Sequence, residues 1–210
     1  MYPDILMIMS PLESIGQNTI QSIYECAPNS NVILHISTPL GHNSEETLLN
    51  KRFEVLKKAT SDWVIFFDTD DAIDTQIPNC EELSSGGADL HVYDYYDVTS
   101  KRQMNIHTMG VQLFLGFSMT ICRRDLALKV IHKWLTCEDA PRVYRDDVCF
   151  LFETLVQAEK IVYHNKPLMQ KFRSRVIRYA NKGNRHNISN DVNDLWIPLF
   201  EKHINLEDIK

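Results

Sequence analysis

Several features are missing from these 210 residues, and each absence removes a class of protein. The five cysteines, Cys26, Cys80, Cys122, Cys137 and Cys149, are odd in number and form no Cys-x-x-Cys. That argues against a disulfide framework or a structural zinc site and points to reduced thiols, so a cytoplasmic protein is expected. No long apolar run is present. The longest early one, Ile5 to Met9, follows Asp4 and lacks a basic flank. It is too short for a signal segment or a membrane span, so neither export nor an integral membrane segment is expected. An excess of positive charge is missing too: the formal net charge is -6. An acidic chain is not built as a general binder of nucleic acid or anionic membranes, although a local basic patch could be. Internal repeats and low-complexity tracts are also absent.

What is present is the balance of an ordinary globular protein, with 44% hydrophobic and 24% charged residues. A chain of this length fits one domain, or one with an appendage. Residues 1–189 read as that domain, and 190–210 as an amphipathic helix belonging to the same unit. Asp4 to Ser10 reads as a buried strand closed by Ser10-Pro11. Leu12, Ile15, Ile20, Ile23, Tyr24 and Ala27 recur at helical spacing. Val32 to Ser37 reads as a second strand. Ser44 caps a predicted helix reaching Ala59, with Leu49, Phe53 and Leu56 as its inward stripe. Trp63 to Phe67 is a continuous apolar run, which suits a central parallel strand covered on both faces. The order β-α-β-α-β argues for an open, doubly wound α/β sheet. Further on, Asp89 to Tyr95 and Ile161 to His164 read as strands, and Val98 to Met109 as a loop. Asp125 to Trp134, Asp147 to Glu159 and Asp191 to Ile204 read as helices, the last interrupted by Pro198.

Ligands of open α/β sheets bind at the carboxyl ends of the strands. Asp68, Thr69, Asp70 and Asp71 sit where the central strand should end. Three carboxylates in four residues repel one another unless something positive joins them. Magnesium is commonly held by one or two carboxylates plus substrate phosphates, and manganese suits the same oxygens. The other reading is a polar turn whose Asx side chain caps the next segment.

The segment Ser61 to Asp71 resembles the strand and Asp-x-Asp signature of GT-A glycosyltransferases, especially of the family-2 type. The resemblance runs in order from residue 4 to about 175. It implies a GT-A-like fold: an open, twisted, mostly parallel sheet flanked by helices, with the C-terminal helix packed back. The implied activity is transfer of a sugar from a nucleotide-diphosphate sugar, a UDP-sugar being the expected donor, to an acceptor hydroxyl. Asp68 would contact the nucleotide and join Asp70 in holding a Mn²⁺ or Mg²⁺ ion, and Asp71 would contact the metal shell or the acceptor. Asn50-Lys51-Arg52 lies where the family often carries Ala-Arg-Asn, in a different order; an exposed helix face is the other reading. Tyr144 to Phe150 resembles the family's Glu-Asp-x-x-Phe segment, with Asp146 in place of the Glu and Asp147 matching the Asp. In inverting members that Asp is the general base. Either acid could instead cap the helix that follows. Gly116 to Arg124 resembles a stretch preceding a helix in the same family. Its small residues could line an acceptor pocket, or form a buried strand running into a cap at Asp125.

From Lys171 to Arg185 the chain has six basic residues and no acid: Lys171, Arg173, Arg175, Arg178, Lys182 and Arg185. Such a run can fold over a diphosphate and stabilise its developing charge, or it can be a solvated basic loop. Arg173, Arg175 and Arg178 are the candidates for diphosphate binding, at least one of them being expected to make the contact. Phe172-Arg173 resembles the family's Tyr-Arg, two residues before a His that is Arg175 here; His186 is an alternative ligand. Two other functions fit parts of this pattern. Phe67 to Ala72 nearly satisfies the signature of haloacid-dehalogenase-type phosphatases, but two β-α units precede it and Ala72 replaces the usual Thr or Val. A non-catalytic nucleotide-sugar-binding module would keep the fold without turnover. The acceptor is not readable: glycan, lipid, protein and small molecule all fit, as does modified DNA.

Overall fold

A computed structural model describes residues 1–9, 14–36, 44–105, 119–136 and 153–172. The expected helix at 191–204 lies outside the described residues. In chain order the elements are β1 (Asp4–Met9), α1 (Gln17–Cys26), β2 (Val32–Ile36), α2 (Ser44–Lys57), β3 (Trp63–Phe67), β4 (Ala72–Ile73), α3 (Cys80–Ser84), β5 (Leu90–Asp97), β6 (Arg102–Met104), β7 (Thr120–Arg123), α4 (Arg124–Thr136) and β8 (Ile161–Lys171). Residues 153–157 are also helical.

The strands form one sheet in the order β2-β1-β3-β7-β5-β8-β4, with β6 alongside β5. Pairings β1–β2, β1–β3 and β5–β8 are parallel. β7 runs antiparallel to both β3 and β5, which leaves those two strands pointing the same way. The carboxyl ends of β1, β2, β3, β5 and β8 therefore share one edge, as a mostly parallel sheet requires. β7 covers only Leu90 to Val92 of β5. Above it β6 pairs with Tyr95 to Asp97, reached through a turn in which Lys101 has φ 55°.

The uninterrupted apolar stretch of β3 is the centre of the core, and all five of its residues are buried. Ile5, Leu6 and Met7 pack beside it from β1, with Val55 and Leu56 from α2 and Ala127, Val130 and Ile131 from α4. Trp63 is wholly buried, with its indole N–H donating to Ser84 Oγ at 3.1 Å and the Arg123 guanidinium 4.9 Å from its ring centre. Polar groups close the opposite, amino edge. The carboxylate of Asp4 accepts from the Thr60 and Ser61 backbone N–H groups at 2.6 and 2.9 Å and from Asn31 Nδ2 at 3.0 Å.

Several elements differ from the sequence expectation, among them β4 and α3, which it did not include. β8 extends to Lys171 rather than ending at His164, because irregular pairing on either side of Asp94 lets the ladder pass Pro167 and resume at Met169. β6 lies in the expected loop; its residues carry no apolar alternation because the strand is outlying and mostly exposed. In α1, Ile23 packs on the core, whereas Ile20 and Tyr24 are 56% and 79% exposed. The buried face of α1 is instead polar.

Candidate functional site

At the end of β3 the chain turns through Asp68-Thr69-Asp70-Asp71, with the Asp71 N–H 3.4 Å from the Asp68 carbonyl, and enters β4. The buried polar face of α1 holds this turn. Gly16 N–H donates to the Thr69 carbonyl at 2.9 Å, and Thr19 Oγ1 reaches the carbonyls of Thr69 and Asp71 at 3.0 and 2.6 Å. Ser22 Oγ accepts from the Ile73 N–H at 2.9 Å. A Cβ at position 16 would come within 3.1 Å of Thr19 Oγ1 and 3.5 Å of the Thr69 carbonyl, so glycine permits this close approach. Sequence reasoning did not single out Thr19 and Ser22. Their signal was two small hydroxyl residues at i and i+3 of an amphipathic helix, where a stripe of apolar residues was expected.

The three carboxylates of the turn are not equivalent. Asp68 and Asp70 are exposed, whereas Asp71 is 4% exposed. Antiparallel pairing of β4 with β8 sets Ala72 opposite Gln170 and Ile73 opposite Met169. One step further along that register, Asp71 meets Lys171: Asp71 Oδ2 lies 3.7 Å from Lys171 Nζ. The Phe172 backbone N–H also donates to the Asp71 carboxylate. Burial pushes the Asp71 pKa up to about 7, Lys171 acts against that, Asp68 and Asp70 add to it, and the Phe172 N–H opposes it. The Lys171 ammonium also lies 5.9 Å from the centre of the Tyr95 ring. Val98 N–H donates to the Lys171 carbonyl at 3.2 Å, so the ends of β5 and β8 are tied beside the acidic turn.

α2 brings a further cation to this edge. The Arg52 guanidinium lies 5.8 Å from the ring centre of Phe66, two residues before Asp68. Asn50 is exposed as a surface helix face would be, but Lys51 is buried, so that reading fails for Lys51. Thr120 to Cys122 is buried strand running directly into α4, which answers for that part of the Gly116–Arg124 stretch. Asp146, Asp147, Arg173, Arg175, Arg178 and His186 lie outside the described residues.

Among the described residues no group of three or more His, Cys, Asp and Glu side chains converges to cage a metal ion. Two exposed carboxylates on a pinned turn nevertheless fit the way magnesium and manganese are held, by one or two carboxylates with phosphate and water completing the shell. Asp70 and Asp68 are the pair that fits. No helix among the described residues is long and apolar enough to cross a membrane.

No family model matches the sequence, and no curated protein matches it. Solved structures do. The Staphylococcus aureus protein TarS, in a structure with UDP, aligns with a TM-score of 0.55 and 13% identity over 86% of this chain and 63% of that one. Another TarS structure, with UDP-GlcNAc, gives 0.54 and 13% over 83% and 59%. A glycosyltransferase involved in glycosylation of the major capsid of the virus PBCV-1 gives 0.52 and 14%, over 84% of this chain and 97% of that one. The chain thus spans less than two thirds of the TarS structures' length and nearly the whole of the viral enzyme. At these identities the likeness concerns the fold: the chain has a GT-A-like α/β fold.

Proposed function

We propose that this chain transfers a sugar from a nucleotide-diphosphate sugar to an acceptor hydroxyl, at the carboxyl edge where β3 and β8 end. The observation that carries this reading is the acidic turn itself. In a GT-A-like sheet, Asp68 and Asp70 stand exposed directly after the central strand, on a turn that Gly16 and Thr19 fix from below. TarS holds UDP and UDP-GlcNAc in structures of the same fold, which supports a UDP-sugar as donor here.

In this reading Asp70, with Asp68, holds a Mn²⁺ or Mg²⁺ ion, and Asp68 also contacts the nucleotide. Bound there, the ion would offset the charge of the diphosphate leaving group. Asp71 acts from beneath the turn. Arg173, Arg175 and Arg178 supply diphosphate contacts. Asp147, with Asp146 beside it, is the general base. Its carboxylate takes the proton of the acceptor hydroxyl as that oxygen bonds to the anomeric carbon. The bond from that carbon to the diphosphate oxygen breaks on the opposite face, and its electron pair leaves with the nucleotide. The configuration at the sugar is inverted. As acceptor a glycan, a small molecule or a protein fits the reading, and modified DNA is the outlying case.

Thermal-shift measurement with UDP and UDP-sugars, with and without Mn²⁺, tests the donor site, since a ligand of the folded state raises its apparent stability. Hydrolysis of a UDP-sugar with Mn²⁺ against hydrolysis of a phosphomonoester with Mg²⁺ separates the transferase from a phosphatase. Binding without either turnover would favour a non-catalytic module. A base in this role contributes roughly 10²- to 10⁴-fold in rate. Asp147→Asn should therefore lower turnover by about that factor and leave donor binding nearly intact. Retention of configuration in the product would exclude a single-displacement base at Asp147.

A further inference from the structure

We propose that Lys171 is a diphosphate-binding residue and that Asp71 positions it, an inference that rests on the donor-binding reading above. The placement follows from the main chain. β8 is held on one side by β5, with Lys171 opposite Asp97, and on the other by β4, with Gln170 opposite Ala72. That register carries Lys171 to the residue that ends the acidic turn, and the Phe172 N–H fastens the same carboxylate. Asp71 thus has two links to the end of β8, one to backbone and one to a side chain.

Within the pair the ammonium is the outer partner. The Lys171 side chain is 27% exposed and that of Asp71 is 5% exposed. Their separation of 3.7 Å is an ion pair, but it is longer than the roughly 2.7–2.9 Å of a charge-assisted hydrogen bond. The carboxylate therefore holds the ammonium in place without enclosing it. The ammonium so placed is a compact point charge of the kind that binds phosphate oxygens. A lysine that served only to neutralise Asp71 would affect folding and not ligand affinity.

Calorimetry with Mn²⁺ and two probes, UDP and uridine, separates these roles. Lys171→Met keeps the aliphatic stem and removes the charge. It should weaken UDP binding about tenfold or more, the effect of losing one charged hydrogen bond, and leave uridine affinity unchanged. Lys171→Arg should recover most of the loss. Asp71→Asn should also weaken UDP, and the double variant should lose little beyond Lys171→Met alone, because Asp71 acts through Lys171. Comparing two ligands within one variant removes any general loss of stability. Unchanged UDP affinity in Lys171→Met, with the wild type binding UDP, overturns the role of Lys171 and leaves the donor site standing. If the wild type binds none of UDP, GDP, ADP and CDP, the donor-site reading itself fails and this inference with it.

Discussion

Asp4 is wholly buried, yet three donors within 3.0 Å meet its carboxylate. Two of them are the backbone N–H groups of Thr60 and Ser61, so this side chain fastens the start of β3 to β1 at the edge away from the acidic turn. Asp4→Ala would strand those donors. Each buried unsatisfied group costs about 1–3 kcal/mol, so a loss of about 3 kcal/mol is expected, read as a lower urea midpoint with an unchanged slope. At the other edge Asp70 has the opposite character: it is exposed and its effect should be on ligand. Asp70→Asn should weaken Mn²⁺-dependent UDP binding about tenfold or more, since losing a ligand should cost at least as much as the 10–100-fold of outer-shell changes. Unchanged calorimetric affinity with Mn²⁺ present would remove Asp70 from the site. The acidic turn was legible because carboxylates crowd after an apolar strand. Thr19 and Ser22 were not, since a hydroxyl that binds a distant backbone group looks the same in sequence as one facing water. Lys171 was legible only as one basic residue among six. What distinguishes it is its register against Asp71, and register across about a hundred residues of chain is a tertiary fact.

β5 and β8 also bring together two histidines. His91 Nε2 is 3.0 Å from the Leu83 carbonyl, which can only accept, so Nε2 carries the proton. His91 Nδ1 is then an acceptor for His164 Nε2–H at 2.8 Å. The His164 ring also stacks on Tyr93, with centroids 4.2 Å apart. A proton added to His91 would set two N–H groups against each other. Burial first lowers the His164 pKa, to about 4, with His91 and Lys166 adding to the effect, and burial lowers that of His91. Both sites thus favour the neutral form in the fold, against an ordinary value near 6.5. The unfolded chain binds the extra proton more readily. The contribution to stability is complete above about pH 6.5 and is lost as pH falls from there toward about 4. The raised pKa of Asp71 acts in the opposite sense over nearly the same window, so the histidine effect is read by difference. From pH 7.5 to 4.5 the urea midpoint of the wild type should fall relative to that of His164→Gln; a constant difference between the two would place the effect elsewhere. The strand carrying His164 was predicted to stop there, because Asn165, Lys166 and Pro167 interrupt the apolar pattern. The uninterrupted apolar β3 and the helix α4 gave no such difficulty: their patterns are complete within a few neighbouring residues, whereas the second half of β8 is determined by partners in β4 and β5.

Over the whole molecule a net charge of -6 coexists with a basic run that begins at Lys171. If Arg173, Arg175 and Arg178 contact the diphosphate, removing their charge should weaken donor binding, and more so at low salt, where the screening length is longer. Equal UDP affinity in Gln substitutions at all three positions would leave the run a solvated loop. The open, mostly parallel sheet was legible from the order of strands and helices, and its GT-A-like character from the resemblance carried by Ser61 to Asp71; the sheet follows with β1, β2, β3, β5 and β8 running in a common direction. The antiparallel insertion of β7 was not, because a strand's direction in a sheet is decided by its connection and its neighbours. The pairing of β4 with β8 has one more consequence, and it concerns time. Asp71 and Lys171 are a hundred positions apart, and a ribosome adding roughly 5–20 residues per second takes about 5–20 s to cover that distance. For that interval the acidic turn exists on the nascent chain without its lysine, and long-range strand pairing of this kind is slow to form even afterwards. This edge of the sheet is therefore completed late in the birth of the molecule, and a nascent chain stalled before β8 would carry the aspartates without the lysine that pairs with Asp71.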